Sequence, residues 1–187
     1  MTRRRLLISG WLAMTSALLT IPWLILSLAL AGSKGVMLKG VEAVMLAAGA
    51  ALTVYLLLTL QRLLHEGYRF TRADPPLRLL IRVNIIAAGV SILGLAIPTL
   101  ESSLSTFGLV VVVILGILQI FFGIRLLRLS ADFQGLWKPY CYLNIVTGVC
   151  LAVIVLVPVG MITGAIADVM LGTIFFQVAA ALKNAAP

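Results

Sequence analysis

The sequence predicts an all-α integral membrane protein, six transmembrane helices built as three helical hairpins with both termini cytoplasmic. Three observations lead to that fold class. Of 187 residues, 62% are apolar and 11% charged, less than half the charged share of an average globular domain, and the mean hydropathy is +1.17. A soluble domain of this size has too few polar residues to cover so much apolar surface. The apolar residues gather into six runs, each close to the ~20 residues that span a hydrocarbon core. Lys and Arg concentrate on alternate connections between those runs. Secreted disulfide scaffolds, disordered tails and cytosolic enzymes are excluded.

Arg3, Arg4 and Arg5 precede an apolar run that predicts helix one over 6–31. The run ends Ala29-Leu30-Ala31, which resembles a signal-peptidase site. A secretory apolar region is usually ~7–15 residues and this run is about 25, so the segment is expected to be retained as a helix. A short polar stretch with Lys34 and Lys39 leads to helix two over 41–60. The longest hydrophilic segment follows, a basic cytoplasmic loop over 61–78 with Arg62, Arg69, Arg72 and Arg78, and Arg82 just beyond. Within it Asp74-Pro75-Pro76 reads as a helix start. Asp74 supplies an N-cap oxygen, and a proline at the first helical position loses no hydrogen bond.

Helix three then runs over 79–97, and Pro98 to Ser105 form a tight outer turn. Helix four is expected over 106–127, and Arg125, Arg128, Asp132 and Lys138 mark the next inner loop. Trp137, Tyr140 and Tyr142 stand where an interfacial aromatic belt belongs. Helix five is expected over 139–157, and a turn at Pro158-Val159-Gly160 reverses the chain into helix six over 160–182.

Orientation follows from counting basic residues. The amino terminus, second loop, fourth loop and tail carry 3, 5, 3 and 1 Lys or Arg, while the first, third and fifth loops carry 2, 0 and 0. Twelve against two is a strong positive-inside bias. The formal charge of +8 is therefore the electrostatics of topology, and no nucleic-acid partner is expected. Cys141 and Cys150 lie nine residues apart in one span. Nine helical steps place them on opposite faces and ~13 Å apart along the axis, so they read as small buried apolar residues.

The spans also repeat. Asn84 lies fourteen residues before Pro98, and Asn144 fourteen before Pro158. In the returning helices Leu115-Gly116 matches Leu171-Gly172, with Phe121-Phe122 and Phe175-Phe176 after them. The gly-containing rise, outer proline and Leu-Gly return, carried by Ile86 to Ile124 and by Ile145 to Phe176, resemble HdeD-type acid-resistance membrane proteins. Those proteins are also six helices in three short hairpins. The resemblance implies a multi-pass protein of the bacterial inner membrane with a stress or envelope role, and it supplies no catalytic residues. The tail of the first hairpin, Arg62 to Thr71, is more similar to the loop of an uncharacterised family of four-helix bacterial membrane proteins. Duplication of a packing unit explains the repeat without any chemistry.

Asp168 is the outstanding candidate for an intramembrane polar site. It precedes Lys183 by fifteen residues, about 22 Å of helix, which puts it in the outer third of the membrane. An ionisable residue there costs ~2.5–3.5 kcal/mol or more and faces protein or water. Gly160, Gly164 and Gly172 share its four-residue spacing, a stripe that lets another backbone approach. Two readings stay open. One is a proton or cation site; the other is a structural hydrogen bond, or a salt bridge to Lys34 or Lys39. Gln119 and Gln177 are neutral polar residues that either extend such a site or make interhelical hydrogen bonds of ~0.6 kcal/mol. Ala43, Ala47 and Ala51 form a second small-residue packing stripe, within the bundle or toward a partner. Arg62, Arg69, Arg72, Arg78 and Arg82 are placed to attract anionic lipid or an acidic partner surface, or merely to fix topology.

His65 is the lone histidine. No Cys or carboxylate cluster has zinc-like spacing, no phosphate-binding loop is present, and no serine has a histidine base within the membrane. No catalytic residue, metal or cofactor is therefore expected. The leading functional expectation is a non-enzymatic accessory, structural or envelope-stress protein that packs against lipid, other membrane subunits or itself. The alternative is a small carrier or proton-coupled channel using Asp168, and an enzyme acting on lipid is the weakest of the three.

Overall fold

The computed structural model describes residues 2–30, 36–68, 73–97, 101–129 and 135–184. The described residues are helical with no strand: α1 (Arg3–Leu30), α2 (Val36–Tyr68), α3 (Asp74–Ala96), α4 (Glu101–Leu126), α5 (Trp137–Ala152) and α6 (Val157–Asn184). A chain without water around it must satisfy its backbone internally, and continuous helices do so residue by residue. Five of the six helices are long and apolar enough to cross a membrane.

Helix α5 is the exception, because it stops at Ala152 after 16 residues where a span to 157 was expected. Pro158 does not end it, since its missing N–H would remove only a bond to the Ile154 carbonyl and it sits in the first turn of α6, where that N–H has no helical partner. The chain instead turns extended at Val153 (φ −96°, ψ 93°), makes a single 3-10 turn over Ile154–Leu156 and restarts as α6 at Val157.

The stretch read as a basic loop over 61–78 is mostly two helix ends, since α2 continues to Tyr68 and α3 begins at Asp74. Asp74 is not the N-cap. Ala73 holds that position with no side-chain cap, and both carboxylate oxygens of Asp74 lie 2.7 Å from His65 Nε2 on α2. Arg69 and Arg72 lie outside the described residues, while Arg62, Arg78 and Arg82 are exposed. Of the three belt aromatics, Tyr142 is exposed, but Trp137 and Tyr140 are buried. Trp137 Nε1 donates to the carbonyl of Leu126 at 3.1 Å, satisfying one of the acceptors a helix leaves at its end.

The six helices form a closed ring in chain order. Each packs on its sequence neighbours, α6 packs on α1, and among the described residues no helix backbone comes close to one across the ring. In hydrocarbon, apolar burial alone does not favour helix association, so close packing and polar contacts must hold the ring. Glycines supply the closest approaches. A methyl at Gly116 would sit 2.6 Å from the Gly148 carbonyl, and one at Gly172 3.0 Å from the Gly10 carbonyl, so α4–α5 and α1–α6 meet backbone to backbone. Polar bonds cross the joints: Ser9 to Thr59 for α1–α2, His65 to Asp74 for α2–α3, Gln119 to Asn144 for α4–α5, Thr147 to Thr163 for α5–α6 and Ser16 to Asp168 for α6–α1. The dry core fills the ring at the basic end, with Leu6, Leu60, Leu64, Leu77, Phe122, Leu126 and Phe175 all fully buried.

Candidate functional site

A ring whose backbones do not meet across it leaves its centre to be filled by side chains, and toward the end away from the basic residues those side chains are small. Ala48, Gly49 and Ala50 on α2, Ala87 and Ala88 on α3, and Gly160, Gly164 and Ala165 on α6 do not fill it. The result is a central cavity of about 630 Å³ lined by all six helices. Its floor is the top of the dry core, where Leu56, Leu57, Leu80, Phe122, Tyr140 and Leu171 belong to both. Toward the other end, lining residues such as Leu19, Gly49 and Ser91 are exposed, so the cavity reaches the surface.

Most of the wall is apolar, and the polar side chains cluster above the floor. Asp168, partly buried on α6, accepts a hydrogen bond at Oδ2 from Ser16 Oγ on α1 at 3.1 Å. Among the described residues that is its one hydrogen-bond partner. Asn144 on α5 is buried; its Nδ2 donates to the Tyr140 carbonyl at 2.8 Å, and its Oδ1 accepts from Gln119 Nε2 at 3.4 Å. Thr147 donates to Thr163 at 3.0 Å, and Thr163 in turn donates to the Gly160 carbonyl at 3.1 Å. Asn84 and Ser91 face the same space from α3. Among the described residues no Lys, Arg or His lines it, and Asp168 is the single formally charged one in the wall. A carboxylate offers about four acceptor sites, and one donor leaves most of them for a ligand.

The polar candidates read from the sequence divide. Asp168 and Gln119 meet in the cavity, and Gly160 and Gly164 line it. Gln177 does not join them. Nine residues beyond Asp168 on the same helix, it lies half a turn round, and its Oε1 is buried with no hydrogen-bond partner among the described residues. Gly172 packs on α1, whereas Ala47 and Ala51 are exposed and Ala43 is partly buried. The side chains of Lys34 and Lys39, weighed as partners of Asp168, lie outside the described residues. Among the described residues no three His, Cys, Asp or Glu converge as metal ligands do. Both cysteines are buried and unbridged.

Ser16 and Tyr140 were not legible as site residues. The signal for Ser16 was present, since Ser9, Ala13, Ser16 and Thr20 make a small polar face on an otherwise apolar helix. Tyr140 looked like an interfacial anchor because position along the chain does not reveal which way a helix faces. Compared with known proteins, the chain matches no family model, no curated protein and no solved structure.

Proposed function

We propose that the chain is a small carrier of the bacterial inner membrane, and that it holds its solute against Asp168 in the central cavity. The cavity carries this reading: space bounded by all six helices, closed by apolar side chains at one end and reaching the surface at the other. A purely structural bundle gains dispersion energy by filling such space, and a lone carboxyl in its wall is costly unless something uses it. The basic residues put the closed end in the cytoplasm with both termini. The cavity then faces outward, and a change of packing at the floor delivers its contents inward. Helix α5 is a sixth crossing, with roughly 24 Å of α-helix extended ~6 Å by the 3-10 turn.

One observation favours the accessory reading beside it. Ala47 and Ala51 stand exposed on α2, where a neighbouring helix can approach closely. Native mass spectrometry of the detergent-extracted particle separates the two. A carrier migrates as one chain or a homo-oligomer, and in proteoliposomes it moves methylammonium or glycerol faster than protein-free vesicles do, a flux abolished by Asp168→Asn. A stoichiometric foreign subunit together with no flux of either solute would make the chain an accessory protein.

A further inference from the structure

The chemistry of the cavity wall narrows the class of solute. We infer that the cavity selects a monovalent organic cation with an apolar body, such as an amine or quaternary ammonium, a step that rests on the carrier reading above.

Charge comes first. The chain as a whole carries +8, yet among the described residues no Lys, Arg or His lines the cavity and the wall holds one carboxyl, Asp168. That carboxyl has a hydroxyl donor, Ser16, and no cation among the described residues. A carboxylate in a low-dielectric wall favours a positive partner and disfavours an anion. Shape comes second. A metal ion needs a shell of strong ligands, and among the described residues Asp168 has no second carboxylate or imidazole in the wall to build one with; the other polar groups there are neutral hydroxyls and amides. About 630 Å³ is in the range of sites for organic molecules of drug size, and its apolar wall matches an apolar body. Phe122 and Tyr140 in the floor add aromatic rings, which attract alkylammonium groups. Third, Gln119 Nε2 donates to Asn144 Oδ1 and Asn144 Nδ2 to the Tyr140 carbonyl, so these amide groups are engaged elsewhere. Among the described residues Ser16 alone hydrogen-bonds Asp168, leaving carboxylate acceptor sites for the ligand's N–H or charge.

Equilibrium binding in nanodiscs of zwitterionic lipid separates charge from shape. The probes are tetraphenylphosphonium and tetraphenylborate, lipophilic ions of nearly equal size and opposite sign. The wild-type protein is expected to bind tetraphenylphosphonium at least about tenfold more tightly than tetraphenylborate, and Asp168→Asn to remove that preference. Asparagine keeps the shape and the acceptor for Ser16, so folding is retained and is checked by monodisperse elution. Gly49→Trp provides a second variant. Gly49 lines the cavity and a methyl there meets nothing within 4 Å, so an indole has room and is expected to take up cavity space and weaken both probes. Equal binding of the two ions that Gly49→Trp blocks would overturn cation selection while leaving a solute cavity in place. Binding of neither ion, or binding indifferent to Gly49→Trp, would overturn the carrier reading as well.

Discussion

Ser16 on the first helix donates its hydroxyl hydrogen to Asp168 on the sixth, 152 residues away, across 3.1 Å. This bond joins the first and last helices of the ring, beside the close approach of Gly172 to Gly10, and holds the one carboxyl that the described residues place in the cavity wall. Ser16→Ala is expected to lower stability by about 1 kcal/mol, in the range of interhelical polar bonds. Thermal unfolding in detergent reads it, and a variant as stable as wild type would mean the bond does not fasten α1 to α6.

The glycine contacts give a sharper contrast within a single helix. At Gly116 an added methyl meets backbone atoms of α5 at 2.6 Å, whereas at Gly108 it meets nothing within 4 Å. Backbone cannot swing aside as a side chain does, so Gly116→Ala should cost ~1–3 kcal/mol or more. Gly108→Ala should be neutral or up to ~1 kcal/mol stabilising. Equal effects in denaturant titrations would contradict the close α4–α5 packing.

His65 and Asp74 fasten the basic ends of α2 and α3 at 2.7 Å, with side chains 36% and 15% exposed. Partial exposure screens the pair, so a double-mutant cycle of His65→Ala and Asp74→Ala should give a coupling of only about 0.5–1 kcal/mol. A coupling near zero would show that the contact is incidental.

Trp137 fills space between α4 and α5 and donates to Leu126. Trp137→Phe keeps most of the ring and loses the hydrogen bond, for a cost of about 1 kcal/mol. Trp137→Ala also opens a cavity and should cost ~3–5 kcal/mol. The ordering of the two melting temperatures tests whether packing or the hydrogen bond dominates.

Composition and hydropathy run length were enough to find the helices, because a membrane-spanning helix writes its apolar character over many consecutive residues. Their ends were harder. At Asp74 the cap residue and the first helical residue differ by one position, and the carboxylate found a stronger partner in His65. Helix α5 ends early where Val153 turns extended, a break that the apolar composition of Val153 to Val157 conceals. Asp168 was legible from its depth, since charge inside hydrocarbon needs a reason. Gln177 was misplaced for want of a helical-wheel argument: nine residues from Asp168 is the opposite face. Which small residues pack and which leave space open depends on how six helices sit together. Gly172 meets a backbone and Gly49 meets nothing, yet both read alike in the sequence.

Water access to Asp168 is the property on which carrier function depends. In a background with Cys141 and Cys150 replaced by alanine, single cysteines are introduced as Ser16→Cys, Ser91→Cys and Leu64→Cys. Intact cells are then treated with a membrane-impermeant charged thiol reagent. Ser16 and Ser91 line the cavity, and Leu64 is 1% exposed in the dry core. Labelling at Ser16→Cys and Ser91→Cys with none at Leu64→Cys is the expected result. A Ser16→Cys protein as unreactive as Leu64→Cys would mean that no aqueous path reaches Asp168, and the carrier reading would fall with it.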